Sequence, residues 1–172
     1  MIKKEMDNGQ LKKETFTVVI RYATVEDIPQ LIGLLRQVEG VHHDIRPDFF
    51  RDGGEKYEPE TLKVLLADKN RPVLAAEEAE KVLGYAFCVV EETKNDPARL
   101  DRRELYLDDL CVDASVRGKG VAKQLWQGTV DLAKQLGCDA VTLNVWEGND
   151  RARKFYENCG LTVRKTFLEY PL

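Results

Sequence analysis

Hydrophobic and polar positions along this chain change period several times, and each change marks an element. Phe16 to Arg21 (FTVVIR) is β-branched and aromatic and predicts a strand. Thr24 with Asp27 three residues on forms a capping-box pattern, which opens a helix carrying Leu31, Leu34, Leu35 and Val38 on one face. Pro29 falls near its first turn, where a missing N–H costs little. Gly40 to Gly54 keeps no period and reads as an irregular stretch holding His42, His43 and Arg46-Pro47-Asp48. A short helix is expected from Pro59 to about Ala67. Strands follow at Arg71 to Ala76 and Val82 to Glu91, around the acidic turn Glu77 to Lys81, and then a loop from Asn95 to Arg102.

The second half is more regular. Leu105 to Val112 reads as a strand and Gly118 to Gly120 as a turn. Val121, Leu125, Thr129, Leu132 and Leu136 then recur every three or four residues as one helical face, with Gly137 at the expected C-terminal end. Ala140 to Trp146 alternates, with Val141, Leu143 and Val145 on one side, and predicts a strand. Asn149 caps a helix whose inner face is Ala152, Phe155, Tyr156 and Cys159. Gly160 ends it, and Leu161 to Tyr170 reads as a last strand. The order β-α-α-β-β-β-α-β-α-β predicts a mixed sheet with helices packed against it.

At 172 residues the chain fits one domain, expected over 15–172 with 1–14 flexible. Its 30 acidic and 26 basic side chains leave a net charge of -4, which argues against a nucleic-acid binder. Cys88, Cys111, Cys138 and Cys159 are isolated and read as reduced thiols, not as a disulfide or zinc framework. The polar, Lys/Glu-rich start has no apolar core of a signal peptide, and no run is long enough to span a membrane. The expected location is cytoplasmic, with no membrane partner.

Asp113 to Lys123 reads DASVRGKGVAK. A glycine turn between strand and helix aims backbone N–H groups at an anion, and the helix dipole adds to the attraction. Arg117, Lys119 and Lys123 add charge, and a pyrophosphate is the natural guest. The turn lacks the GK[ST] of a P-loop, and Lys123 stands where a Rossmann turn has its third glycine. By itself it also fits a helix N-terminus with a solvated basic turn.

In company with its neighbours, this turn resembles the cofactor motif of the GNAT superfamily of N-acetyltransferases, [QR]-x-x-G-x-[GA], as Arg117-Gly118-Lys119-Gly120-Val121-Ala122. The strand Leu105 to Val112 precedes it. A strand and then N-x-x-A-x-x-F-Y follow, as Asn149 through Tyr156, closing with Cys159-Gly160-Leu161. Arg21-Tyr22-Ala23-Thr24 and Asp27-Ile28 are similar to the family's opening, so the resemblance covers Phe16 to Tyr170. It implies an α/β fold with a mixed, mostly antiparallel sheet of six or seven strands and about four helices. Acetyl-coenzyme A is implied as co-substrate, with no metal. Backbone groups of Leu110, Cys111 and Val112 would pair with the pantetheine arm. The turn from Arg117 and Gly118 through Lys119, Gly120, Val121, Ala122 and Lys123 would hold the pyrophosphate. Asn149, with Ala152 and Phe155 on the same helix, would line the pantetheine or thioester.

The chemistry needs a neutral amine, a polarised thioester carbonyl and a proton for the departing thiolate. Tyr156 is the expected general acid, with core packing as its other reading. A backbone N–H at Leu110 or Cys111 is a candidate oxyanion donor. Asp108 and Asp109 are candidates for the base and the amine anchor. Adjacent strand residues point to opposite faces unless a bulge intervenes, and Asp108 is favoured as the base. Polyamine acetyltransferases carry a similar acidic pair. His42 and His43 would bind the acceptor or act as a base, or else lie on a surface loop; two adjacent histidines without a third ligand do not make a metal site. Trp146 reads as packing. A covalent acetyl-cysteine at Cys111 is disfavoured, because no histidine is near it in sequence. The expected activity is transfer of an acetyl group to a small-molecule or peptide primary amine, polyamine-like first, by direct attack in a ternary complex. A non-catalytic acyl-coenzyme A sensor is the competing reading, and a homodimer through open sheet edges is a further expectation.

Overall fold

The computed structural model describes residues 17–172, so the expectations for 1–14 and for Phe16 fall outside the described residues. Five strands form one sheet in sequence order: β1 (Val19–Tyr22), β2 (Val73–Glu78), β3 (Lys81–Thr93), β4 (Arg102–Val112) and β5 (Ala140–Leu143). The first four pair antiparallel. β5 pairs parallel with β4, after the crossover helix that parallel pairing requires. The helices are α1 (Ile28–Ile45), α2 (Pro59–Ala67), α3 (Val121–Gln135) and α4 (Asp150–Asn158).

Alternation along the strands feeds two cores, one on each face of the sheet. Val73, Ala75, Tyr85 and Phe87 pack with Leu31, Leu34 and Leu35 of α1 and with Leu62 and Leu65 of α2. Leu74, Ala76, Ala86, Leu105 and Leu107 pack with Val121, Leu125 and Leu132 of α3. The capping box at Thr24 and Asp27 is present, one turn before α1. Asp27 is buried and takes two hydrogen bonds from the Arg21 guanidinium, at 2.7 and 2.9 Å, and one from Thr24 N–H at 2.8 Å. Glu77 holds the other side of Arg21.

Three sequence expectations change. First, Gly40 to Gly54 is not wholly irregular: α1 runs through Gly40 to Ile45, so His42 and His43 are helical. One interior glycine costs a helix only about 1 kcal/mol, and the packed face continues past it. The helix stops at Arg46 because Pro47 disfavours helical geometry in the residue before it. Second, β5 ends at Leu143, not Trp146. Third, Leu161–Tyr170 is not a strand, and among the described residues the sheet has five strands instead of six or seven. Strand propensity needs a ladder to act on. This segment is instead tied by side-chain ion pairs, Arg164 to Glu104 at 2.7 Å and Glu169 to Arg46 at 3.0 Å, while Val163, Phe167, Leu168 and Tyr170 stay exposed.

Candidate active site

The glycine turn sits where β4 hands over to α3. Gly118 and Gly120 have φ of +80° and +89°, a region that glycine reaches without strain, and a Cβ at either would meet nothing within 4 Å. The glycines therefore serve the backbone conformation and leave its outer side open. Gly120 is the N-cap residue of α3, so the amides of Val121, Ala122 and Lys123 belong to the first turn and have no partner inside the helix. Lys119 and Lys123 are exposed beside them. Arg117 points elsewhere: its Nε donates to the Val112 carbonyl at 3.0 Å, pinning the turn to the end of β4.

Next to the turn, β4 has an open side. The β4–β5 ladder runs from Glu104/Ala140 to Leu107/Leu143 and stops there, whereas β4 continues to Val112. Asp113 N–H donates to Leu83 O at 2.9 Å, which makes Gly84/Val112 a non-hydrogen-bonded pair and Tyr85/Cys111 a hydrogen-bonded one. By the same alternation, the peptide groups of Leu110 and Val112 face away from β3, toward the open side. Cys111 departs from expectation here, since its backbone belongs to the β3 ladder. Its thiol is buried, donates to Leu34 O at 3.4 Å and is pushed up to about 12 by burial, so it stays protonated and inert.

The acidic pair owes its placement to a bulge. Phe87 pairs with Asp109 but Cys88 pairs with Leu107, so Asp108 is an extra residue in β4. On the N-terminal side of the bulge Leu105 and Leu107 face the α3 core. Beyond it Leu110 and Val112 do, and Cys111 joins the α1/α2 core. The inserted residue inverts the alternation, so Asp108 and Asp109 reach one place. Lys56 Nζ lies between them, 3.0 Å from Asp108 Oδ2 and 3.5 Å from Asp109 Oδ2. Tyr57 OH reaches Asp108 at 3.4 Å and Tyr85 OH donates to Asp109 at 3.1 Å.

Asp109, not Asp108, is the buried member, 8% exposed. Burial holds its pKa above the usual carboxylate value, with Lys56 and the Tyr85 hydrogen bond pulling the other way. Burial also raises Glu39 on α1, whose Oε1 lies 4.0 Å from His42 Nδ1. Burial works to lower the pKa of Lys56, but the charges of Asp109 and Asp108 outweigh it and the net displacement is upward.

Tyr156 lies on the inner face of α4, edge-on to Trp126 with ring centroids 5.9 Å apart. Burial raises its pKa above the ordinary tyrosine value, and the charge of Asp109 adds to this. The phenol therefore stays protonated at physiological pH. Asn149 caps α4, its Oδ1 accepting from Ala152 N–H at 3.1 Å, and Phe155 packs against Tyr156.

The two histidines separate. His43 Nδ1 is 2.9 Å from Phe50 O, a structural contact. His42 stacks on Phe50, its buried Nδ1 has no hydrogen-bond partner among the described residues, and it faces Glu39 and the charge of Asp109. Trp146 packs against Phe49 and Phe50. Sequence reasoning missed Glu39, Lys56, Tyr57 and Tyr85. Tyr85 had a signal, a phenol inside an apolar strand; Lys56 and Tyr57 lie in a stretch without periodicity and had none. Among the described residues no group of three His, Cys, Asp or Glu is arranged to hold a metal ion.

Comparison with known proteins agrees with this fold. The model of the Acetyltransferase (GNAT) family matches residues 38–161. A tetramutant of the BH1408 protein from Bacillus halodurans superposes with a TM-score of 0.85 and 31% identity, covering 90% of this chain and 99% of that one. N-alpha-acetyltransferase 30 of Saccharomyces cerevisiae is 33% identical over 85 residues, 49% of this chain and 47% of that protein. The chain thus spans about half the length of that relative. The aminoglycoside N-acetyltransferase AAC(6')-Iy in complex with CoA shares the fold, with a TM-score of 0.67 at 16% identity over 90% of this chain and 94% of its own.

Proposed function

The chain belongs to the acetyltransferase (GNAT) family, and we propose that it transfers the acetyl group of acetyl-coenzyme A to a primary amine that is cationic in solution. The observation that carries this reading is the β4 bulge, which brings Asp108 and Asp109 to one point beside the open strand edge and the glycine turn. The turn amides from Gly118 to Lys123 fit a pyrophosphate, and the open peptide groups of Leu110 and Val112 fit the amides of a pantetheine arm. When bound, acetyl-coenzyme A supplies an activated acyl thioester.

Asp109 is the better base of the two, a revision of the preference for Asp108. It is the more buried, and its raised pKa narrows the gap to an ammonium, so proton transfer is less uphill than to an ordinary carboxylate. Asp108 and Glu39 add negative charge that attracts the acceptor. Leu110 N–H faces the open side and is placed to hold developing oxyanion charge. Burial keeps the Tyr156 phenol protonated, so it can offer a hydrogen bond to the departing sulfur, and the proton follows as the thiolate forms. Direct attack is favoured over a covalent relay because the Cys111 thiol is buried and protonated.

The test is thiol release from acetyl-coenzyme A across a panel of polyamines, aminoglycosides, lysine peptides and peptide N-termini. Release with one class, lost in Asp109→Asn, supports the reading and names the acceptor. Cofactor binding without release from any amine favours a non-catalytic acyl-coenzyme A sensor. Absence of binding refutes both.

A further inference from the structure

Among the described residues, Lys56 is the one side-chain amine standing at the acidic pair, where the proposed chemistry puts its acceptor. Its Nζ is 3.0 Å from Asp108 and 3.5 Å from Asp109, and its side chain is 26% exposed, so it reaches inward from the loop between α1 and α2. The ammonium lies 5.6 Å from the centroid of the Tyr57 ring, which steadies it from one side. Glu39, His42, Tyr85 and Tyr106 are among the titratable groups around it and the pair, with Cys88, Cys111 and Tyr156 also within reach of the two carboxylate charges. No ion pair with an exposed carboxylate draws Lys56 outward among the contacts of the described residues, in contrast to Lys63 with Glu60 and Lys94 with Glu92.

We propose that Lys56 is a modification site, acetylated on Nζ by the chain's own transfer centre. This rests on the acetyltransferase reading above and adds a specific internal acceptor to it. The step balances: Asp109 takes one proton from the Lys56 ammonium, and the neutral Nζ attacks the thioester carbonyl carbon. The carbon–sulfur bond breaks, coenzyme A leaves as thiolate, and Tyr156 supplies its proton. The second amine proton restores the Tyr156 phenol and Asp109 releases the first to solvent, leaving an acetamide on Lys56 and free coenzyme A thiol. Closing the site to water favours the first transfer, because an ion pair loses more solvation than a neutral amine and carboxylic acid do. Acetylation then removes the cation between Asp108 and Asp109 and leaves the pair facing an external ammonium.

The experiment compares two labels on the full chain and reads each lysine by peptide mass mapping. Acetic anhydride without coenzyme A reports intrinsic reactivity, and acetyl-coenzyme A reports the internal route. The half-buried, carboxylate-bound Lys56 should rank among the least labelled lysines with the anhydride. With acetyl-coenzyme A it should lead every other lysine by about tenfold or more, as a positioned amine does. The labelling rate should not depend on protein concentration, and it should fall in Asp109→Asn. The inversion of order is the signature, and Lys56→Arg should carry no such label. If coenzyme A binds by calorimetry yet both reagents label lysines in the same order, the proposal is overturned and the acetyltransferase reading stands. If coenzyme A does not bind, both fall together.

Discussion

Replacing Gly120 with alanine separates what the turn does for the fold from what it does for a ligand. Gly120 sits at φ +89°, and a Cβ there meets nothing within 4 Å. The cost to folding is therefore backbone strain alone, about 1–2 kcal/mol. For a chain of this size that lowers the melting temperature by about 2–8 °C. The same helix offers a control at its other end: Gly137 has φ +67° and also has no neighbour within 4 Å of a Cβ. Gly137→Ala should cost a similar amount and leave ligand binding alone. At Gly120 the new methyl group faces the open side of the turn and pushes the pyrophosphate off the α3 amides. Loss of one or two charge-assisted hydrogen bonds is worth about 2–4 kcal/mol, or a roughly 30- to 1,000-fold weaker Kd. Thermal melts and calorimetric titration with coenzyme A measure the two effects separately. If Gly120→Ala melts like Gly137→Ala and binds coenzyme A as tightly, the turn does not hold the pyrophosphate.

Other outcomes follow from the same geometry. Tyr156→Phe should lower kcat by about 100-fold or more while the KM for acetyl-coenzyme A stays nearly constant, as expected for loss of a general acid; an unchanged kcat removes the phenol from the mechanism. Asp109 must be ionised to accept a proton, so kcat/KM should rise with pH through a value above the usual carboxylate range. Lys56→Met should move that rise to still higher pH, because Lys56 now pulls the Asp109 pKa down; a rise that stays in place detaches Asp109 from it. Asp27→Ala should cost about 3 kcal/mol in a denaturant melt at pH 7, the lower end for a broken buried ion pair since Glu77 still holds Arg21. The Arg21 hydrogen bonds depress the pKa of Asp27, so its contribution is present above the unfolded carboxylate value and is lost as pH falls through the folded one. The gap between wild type and Asp27→Ala should therefore close in acid, and a gap independent of pH contradicts the ion-pair account.

The parts of the fold legible in the sequence were those with a local cause. The Thr24–Asp27 box, the three- and four-residue spacing of α3 and the Asn149 cap each act within a few residues, and each appears in the structure. The three-motif resemblance placed the glycine turn, the acidic strand and Tyr156 in one fold. What escaped depends on partners far away in the chain. Leu161–Tyr170 has strand composition, but pairing is a property of two segments, and the second is not there among the described residues. Lys56 reaches Asp108 across 52 positions from an irregular loop, and no local pattern announces such a contact. Asp108 and Asp109 were visible as a pair, yet their common orientation follows from a register shift against β3 that only the ladder reveals.

That shift reads like a one-letter insertion in an otherwise regular text. Were Asp108 deleted, Leu105 and Leu107 would keep their partners, and the downstream residues would each step back one place. Leu110 and Val112 would then continue the same every-second-residue rhythm that Leu105 and Leu107 begin. The β3–β4 ladder would close without a gap, and nothing in either core would lose its neighbour. The sheet has no use for the extra residue, so the shortened chain should fold at least as stably while its lone remaining aspartate can no longer form half of a pair. A shortened strand that melts at least as high but no longer turns over would show that the extra residue serves the site and not the sheet.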